Sequence, residues 1–163
     1  MQSLPKKIAI ILDDASYLID EMEALSLVIK AIPITERPAG SYSVLEYIGA
    51  IDYAQKTYYH EIIRLSISEK NIDVKSHNST FNPDLVSKEA SEVIESLIQN
   101  RNELVSFLKS LQEIHWETSF TLNSENTTIL ELLTEMIQFE RATLREIADR
   151  VLAIDQKNAN QRP

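Results

Sequence analysis

Apolar side chains return every three or four positions along most of this chain, and they gather into four long stripes. Ile8, Ile11, Leu12, Ala15, Leu18, Ile19, Met22, Leu25 and Ile29 form the first. Pro5 suits an opening helical turn with Ser3 near the cap, and Pro33 ends the pattern, which predicts a helix over 5–32. The second stripe is Tyr47, Ile48, Ile51, Ala54, Tyr58, Ile62 and Leu65. Ser43-Val44-Leu45-Glu46 starts it as a capping box, in which the Ser oxygen and the Glu carboxylate satisfy each other's backbone N–H groups, so the helix spans 43–67. The third opens between Asp84 and Ser87, after Asn82-Pro83, and covers 85–115. Its stripe is Ala90, Val93, Ile94, Leu97, Arg101, Leu104, Val105, Leu108 and Leu111. Thr128-Ile129-Leu130-Glu131 is a second capping box and begins a fourth helix over 128–155. Leu133, Met136, Ile137, Leu144, Ile147 and Val151 give its stripe, and the tail QKNANQRP is expected to fray.

All four stripes repeat near seven residues, the pattern of helices crossing at a shallow angle. They predict an all-α four-helix bundle, a single domain over 1–163. Only 2 Gly and 5 Pro occur in 163 residues, which leaves few turns and favours long elements. About fifteen or more residues, roughly SISEKNIDVKSHNSTFNP, separate the second and third helices. At roughly 3.3 Å per extended residue that segment can traverse a bundle about 40 Å long. A long crossover there permits an up-down-down-up arrangement.

Composition removes several chemistries. There is no Cys, so disulfides, thiolate metal sites and Cys nucleophiles are excluded, and a cytoplasmic location is expected. The net charge is −9 with no compensating Lys/Arg run, which argues against nucleic acid as a partner. Lys6-Lys7 precedes a short apolar run, but Asp13-Asp14 closes it too soon for a signal peptide. No segment approaches the ~18 apolar residues of a membrane span, so no membrane partner is expected.

Glu140 interrupts the fourth stripe, between Met136/Ile137 and Leu144. Arg101 interrupts the third, and Gln55 lies near the apolar face of the second, between Ile51 and Tyr58. A lone buried charge is costly, so two arrangements suit the charged pair. Arg101 and Glu140 meet across the seam of the third and fourth helices, or each lies at a stripe edge and reaches water. Metal chemistry has little support in the histidines. Di-iron bundles carry Glu-x-x-His, whereas Thr57, Val74 and Gln112 stand three places before His60, His77 and His115. No Ser or Thr is patterned against a His. Asp13-Asp14 and Asp20-Glu21-Glu23 read as solvated helix faces.

Three segments carry a family resemblance. RPAGSYSVLEYIGAID (37–52) resembles the start of the second helix in DinB-like bundles, the DinB/YfiT superfamily. NRNELVSFLKSL followed by HWETS resembles their third helix and its exit, and TTILELLTEMIQFERATLREI their fourth. The resemblance covers nearly the whole chain. It implies an up-down-down-up fold and a homodimer. In many members three histidines bind a divalent zinc or nickel ion, which in some activates a low-molecular-weight thiol for transfer or isomerisation. Carried onto this sequence, the ligand positions fall on Ala50, Phe139 and Thr143, which are expected to line a pocket there. Ala and Phe have no donor atom and a neutral Thr hydroxyl is a weak one, so no metal or other cofactor is expected. A carboxylate site using Asp52 and Glu140 is the metal alternative, short of ligands without added waters. The sequence therefore predicts a stress-associated DinB-like bundle that binds a small ligand or a second copy through a pocket or surface. A metal-dependent thiol transferase or isomerase with a non-standard site is the alternative.

Overall fold

A computed structural model describes residues 1–37, 40–69, 72–75 and 88–162. The chain is an all-α four-helix bundle with a small sheet at one end. Helix α1 spans Leu4–Val28 and tightens into a 3-10 turn, Ile29–Ala31, before Pro33. Helices α2 (Val44–Ala54) and α3 (His60–Ser68) are joined without a break by a π turn, Gln55–Tyr59. Helix α4 is Ala90–Ser110, α5 is the single turn Glu113–Trp116, and α6 runs from Ile129 to Asn160.

Both capping boxes form. Ser43 Oγ accepts from the Glu46 N–H at 3.1 Å and the Ser43 N–H donates to Glu46 Oε2 at 2.8 Å. Thr128 and Glu131 repeat the exchange at 3.2 and 2.8 Å. Ser3 occupies the cap position of α1, but its side chain makes no capping bond.

Contacts between helices set their directions. Asp52 meets Ser96 and Asn100, Gln55 meets Leu97 and Arg101, and His60 lies against Phe107, so α2–α3 and α4 run parallel. Asp14 pairs with Arg141, while one groove joins Lys7 to Thr134 and another joins Leu25 to Val151, so α1 and α6 are also parallel. Ile11 packs among the residues around Leu104 and Leu108, and Met22 among those around Val93 and Ile94, which makes α1 antiparallel to α4. The order is up-down-down-up, as the crossover length allows.

Four local features depart from the sequence pattern. The described part of the third helix begins at Ala90, since Lys88 and Glu89 are not helical, and the expected start at 84–87 lies outside the described residues. Its far end breaks at Leu111, which is extended, so α5 is a separate turn rather than the continuation to 115. The tail expected to fray is helical through Asn160. Strands Asp73–Val74 (β1), Ser119–Leu122 (β2) and Glu125–Thr128 (β3) form a sheet in the order β1-β2-β3, parallel then antiparallel. Asn123 and Ser124, both at positive φ (49° and 67°), make the two-residue turn whose twist suits a hairpin. The hairpin places Phe120 beside Trp116, and both are buried, closing that end of the bundle.

The core falls into two clusters. One holds Ile11, Ala15, Ala54, Leu104 and Ile137 and extends to Trp116 and Phe120. The other holds Leu18, Met22, Ile51, Leu97 and Ile147. Along every helix the boundary between them falls at the same level, and the polar residues of the interior lie there.

Candidate interior polar site

Arg101 is fully buried (0% exposed) and Glu140 nearly so (4%). Their stripes place both side chains toward the bundle axis, and there they pair. Arg101 Nη2 donates to Glu140 Oε1, and Nη1 donates to Glu140 Oε2 at 3.2 Å. Nη1 also reaches the Ala15 carbonyl at 3.3 Å, and Nε donates to Gln55 Oε1 at 2.7 Å. The small, fully buried Ala15 leaves room for the guanidinium beside the α1 backbone. Of the two arrangements compatible with the stripes, the cross-seam pair is therefore the one formed.

Gln55 carries the network onward. Its Nε2 donates to the Leu97 carbonyl at 3.0 Å and to Asp52 Oδ1 at 2.9 Å. Asp52 accepts further bonds from Asn100 Nδ2 (2.8 Å) and Ser96 Oγ (2.7 Å). Every bundle helix thus contributes to one layer of hydrogen bonds. Each long polar group finds partners, the condition under which a buried network is tolerated. Burial pushes the Glu140 carboxyl above its ordinary range, opposed by the charge and hydrogen bonds of Arg101. The His60 ring lies against Phe107, and its partial burial lowers its pKa.

The π turn starts at Gln55, whose carbonyl accepts from the His60 N–H five residues on. One extra residue in the turn rotates the following helix. Tyr59, Ile63 and Ser66 become buried, and Leu65, an expected core position, is only partly so. Such insertions are frequent at functional sites. Here the insertion sits at the residue that links Arg101 to Asp52.

With this geometry in place, one solved structure bears on the chain. The fold is similar to that of YfiT from Bacillus subtilis. The two align with a TM-score of 0.80 over 95% of this chain and 91% of that one, at 12% sequence identity. YfiT is described as "a probable metal-dependent hydrolase with an unusual four-helix bundle topology". At this identity the likeness establishes a YfiT-like fold and nothing about chemistry. No family model matches the sequence, and no curated protein matches it significantly.

The positions that the resemblance equates with metal ligands have no free donors. Ala50 is partly buried on α2. Phe139 on α6 packs against both core clusters and spans their boundary. Thr143 is buried, and its hydroxyl donates to the Phe139 carbonyl at 2.9 Å. Thr143 Oγ1 is thereby committed to its own helix, as is common for Thr in helix interiors. The two carboxylates of the alternative site are both engaged, Glu140 by Arg101 and Asp52 by Ser96, Asn100 and Gln55. Among the described residues no three His, Cys, Asp or Glu side chains cluster as an ion would need. His77 lies outside the described residues. His115 accepts at Nδ1 from the Gln112 N–H at 3.2 Å, in the α5 turn. These residues do not fit the three-histidine ion.

The stripe pattern identified Arg101, Glu140 and Gln55 but passed over Asp52 as a network member, together with Ser96 and Asn100. The last two stand four apart beside the α4 stripe, and that spacing is their only signal.

Proposed function

We propose that this chain is a metal-free DinB-like scaffold whose interior is closed and whose activity, binding rather than catalysis, resides on its surface. One observation carries the reading: the donors nearest the family's ligand positions are consumed within the protein. Arg101 occupies both oxygens of Glu140, and Phe139 fills the boundary between the core clusters. The three described grooves support it as well, because none is lined by Ala50, Phe139 or Thr143. No helix among the described residues is long and apolar enough to cross a membrane.

The competing reading takes the metal-dependent chemistry ascribed to YfiT, or thiol transfer, to a non-standard site using Asp52 and Glu140. It requires Glu140 to release Arg101 and leave that guanidinium buried without its anion, at a cost of roughly 3–5 kcal/mol. Metal analysis of purified, dialysed protein tests the two readings. Zinc and nickel are expected well below one ion per chain, even after incubation with either metal and desalting. One retained ion per chain would restore the enzyme.

A further inference from the structure

We propose that the open end of the bundle holds a binding groove for a small amphipathic monoanion, a hydrocarbon body bearing one carboxylate. The groove has a volume of about 430 Å³, within the range of about 300–1,000 Å³ for small-molecule sites. It lies between the last turns of α6 and the chain leading into α2. The helical tail creates it: Arg150, Ala153, Ile154 and Lys157 are three, four and seven residues apart and so share one face. Val44 and Glu36 stand on the opposite wall, anchored by the Leu45 N–H, which donates to the Ile34 carbonyl at 3.0 Å.

Ala153 and Ile154 offer an apolar floor, with Val44 across from them. Two cations flank it. Arg150 donates to Ser41 Oγ, a neutral partner that fixes the guanidinium at the wall without neutralising it. Lys157 makes no hydrogen bond or ion pair among the described residues. Among the described lining residues two cations stand against one carboxylate, that of Glu36, a local excess of one positive charge in a chain of net charge −9. That balance matches one negative charge, and Glu36 disfavours a second. Arg150 and Lys157 lie about 10 Å apart along the helix axis, so one head group binds one cation while the hydrocarbon covers Ile154. The groove extends the surface-binding reading above, because it names a ligand class and a place. It does not depend on the metal state, since no residue of the interior network lines it.

The test is an NMR titration of the 15N-labelled full chain with sodium octanoate, with octan-1-ol and octylammonium chloride as controls. Octanoate is expected to give saturable shifts at the amides of Val44 and of 150–157. The alcohol and the amine should bind at least about tenfold more weakly, because neither supplies an anion for a charge-assisted hydrogen bond. Lys157→Gln should weaken octanoate about tenfold. Ala153→Trp, at an exposed position, should abolish binding by filling the floor, with the rest of the spectrum unchanged in both variants. The proposal is overturned by octan-1-ol binding as tightly as octanoate, by shifts centred elsewhere, by unchanged affinity in Lys157→Gln, or by no saturable response below the micelle-forming concentration. The metal measurement is separate, so either proposal can fail while the other stands.

Discussion

Replacing Arg101 with Met removes the cation of the interior layer while keeping much of its hydrocarbon. Two acceptors lose their partner, the Glu140 carboxylate and Gln55 Oε1, and the Ala15 carbonyl loses the donor it has beyond its own helix. Breaking a buried pair by removing one member costs about 3–5 kcal/mol, because the survivor keeps its desolvation penalty. Gln55 adds to this if water cannot reach its oxygen. Domains of this kind are stable by roughly 5–15 kcal/mol, so the loss is a large share of the total and lowers Tm on the order of 10 °C. Urea unfolding at pH 7 with an unchanged m-value measures it. The double variant Arg101→Met/Glu140→Leu is the sharper arm. A buried pair is often worth no more than apolar residues of similar volume, so the double variant should recover at least about 2 kcal/mol relative to Arg101→Met alone.

The pH dependence has a defined sign. Burial raises the Glu140 carboxyl above its ordinary 4.5, and without Arg101 nothing in the layer opposes that shift. A raised folded-state pKa gives a contribution that is full below about 4.5 and lost as pH rises through the folded value. The gap between wild type and Arg101→Met should therefore narrow from pH 7 to pH 5. A loss under about 1 kcal/mol at pH 7, or a double variant less stable than Arg101→Met, would refute a dry, obligate pair.

Three further outcomes concern the α2 cap and the surface. Ser43→Ala removes the α2 cap and should cost about 1 kcal/mol by urea unfolding. The hydrogen bonds from Arg37, aided by those of Ser43 and opposed by burial, hold the Glu46 carboxyl down at about 2. Its contribution is present above the ordinary 4.5 and is lost as pH falls through about 2. Arg37→Gln should thus destabilise only slightly at pH 7, because solvent screens the exposed Arg37, and the difference should vanish as pH falls through about 2. Ile10, Tyr17, Leu27 and Val28 on α1 and Leu152 on α6 are exposed apolar side chains, and we propose them as the contact between the two copies that the family resemblance implies. Sedimentation equilibrium should show a dimer that Tyr17→Glu/Leu27→Glu converts to a monomer; a wild-type monomer at micromolar concentration would end that proposal.

Helix positions, both Ser/Thr-Glu caps and the inward set of charged residues were legible because each is a local property. Hydrophobic period, capping chemistry and a charge within an apolar stripe need only neighbours within one or two turns. The crossover length permitted parallel second and third helices, through the reach of an extended chain, without requiring them. The hairpin was less visible, since Asn123-Ser124 is a weaker turn signal than Asn-Gly and the strands have only four residues each.

The rest was decided between elements. No local rule states that Gln55 turns its amide to Arg101 and Asp52, or that a π insertion there rotates Tyr59 and Ile63 inward. Both follow from how four helices share the same few ångströms. The polar tail is helical past the point where its stripe ends, and its Arg150–Lys157 face becomes a groove only because the chain before α2 folds against it. Sequence alone put Arg101 and Glu140 within apolar stripes and left a buried pair or two stripe-edge charges as the choices. Only the packed bundle determined which charges meet, because pairing depends on the rotation and height of each helix relative to the others, and those are set by the core as a whole.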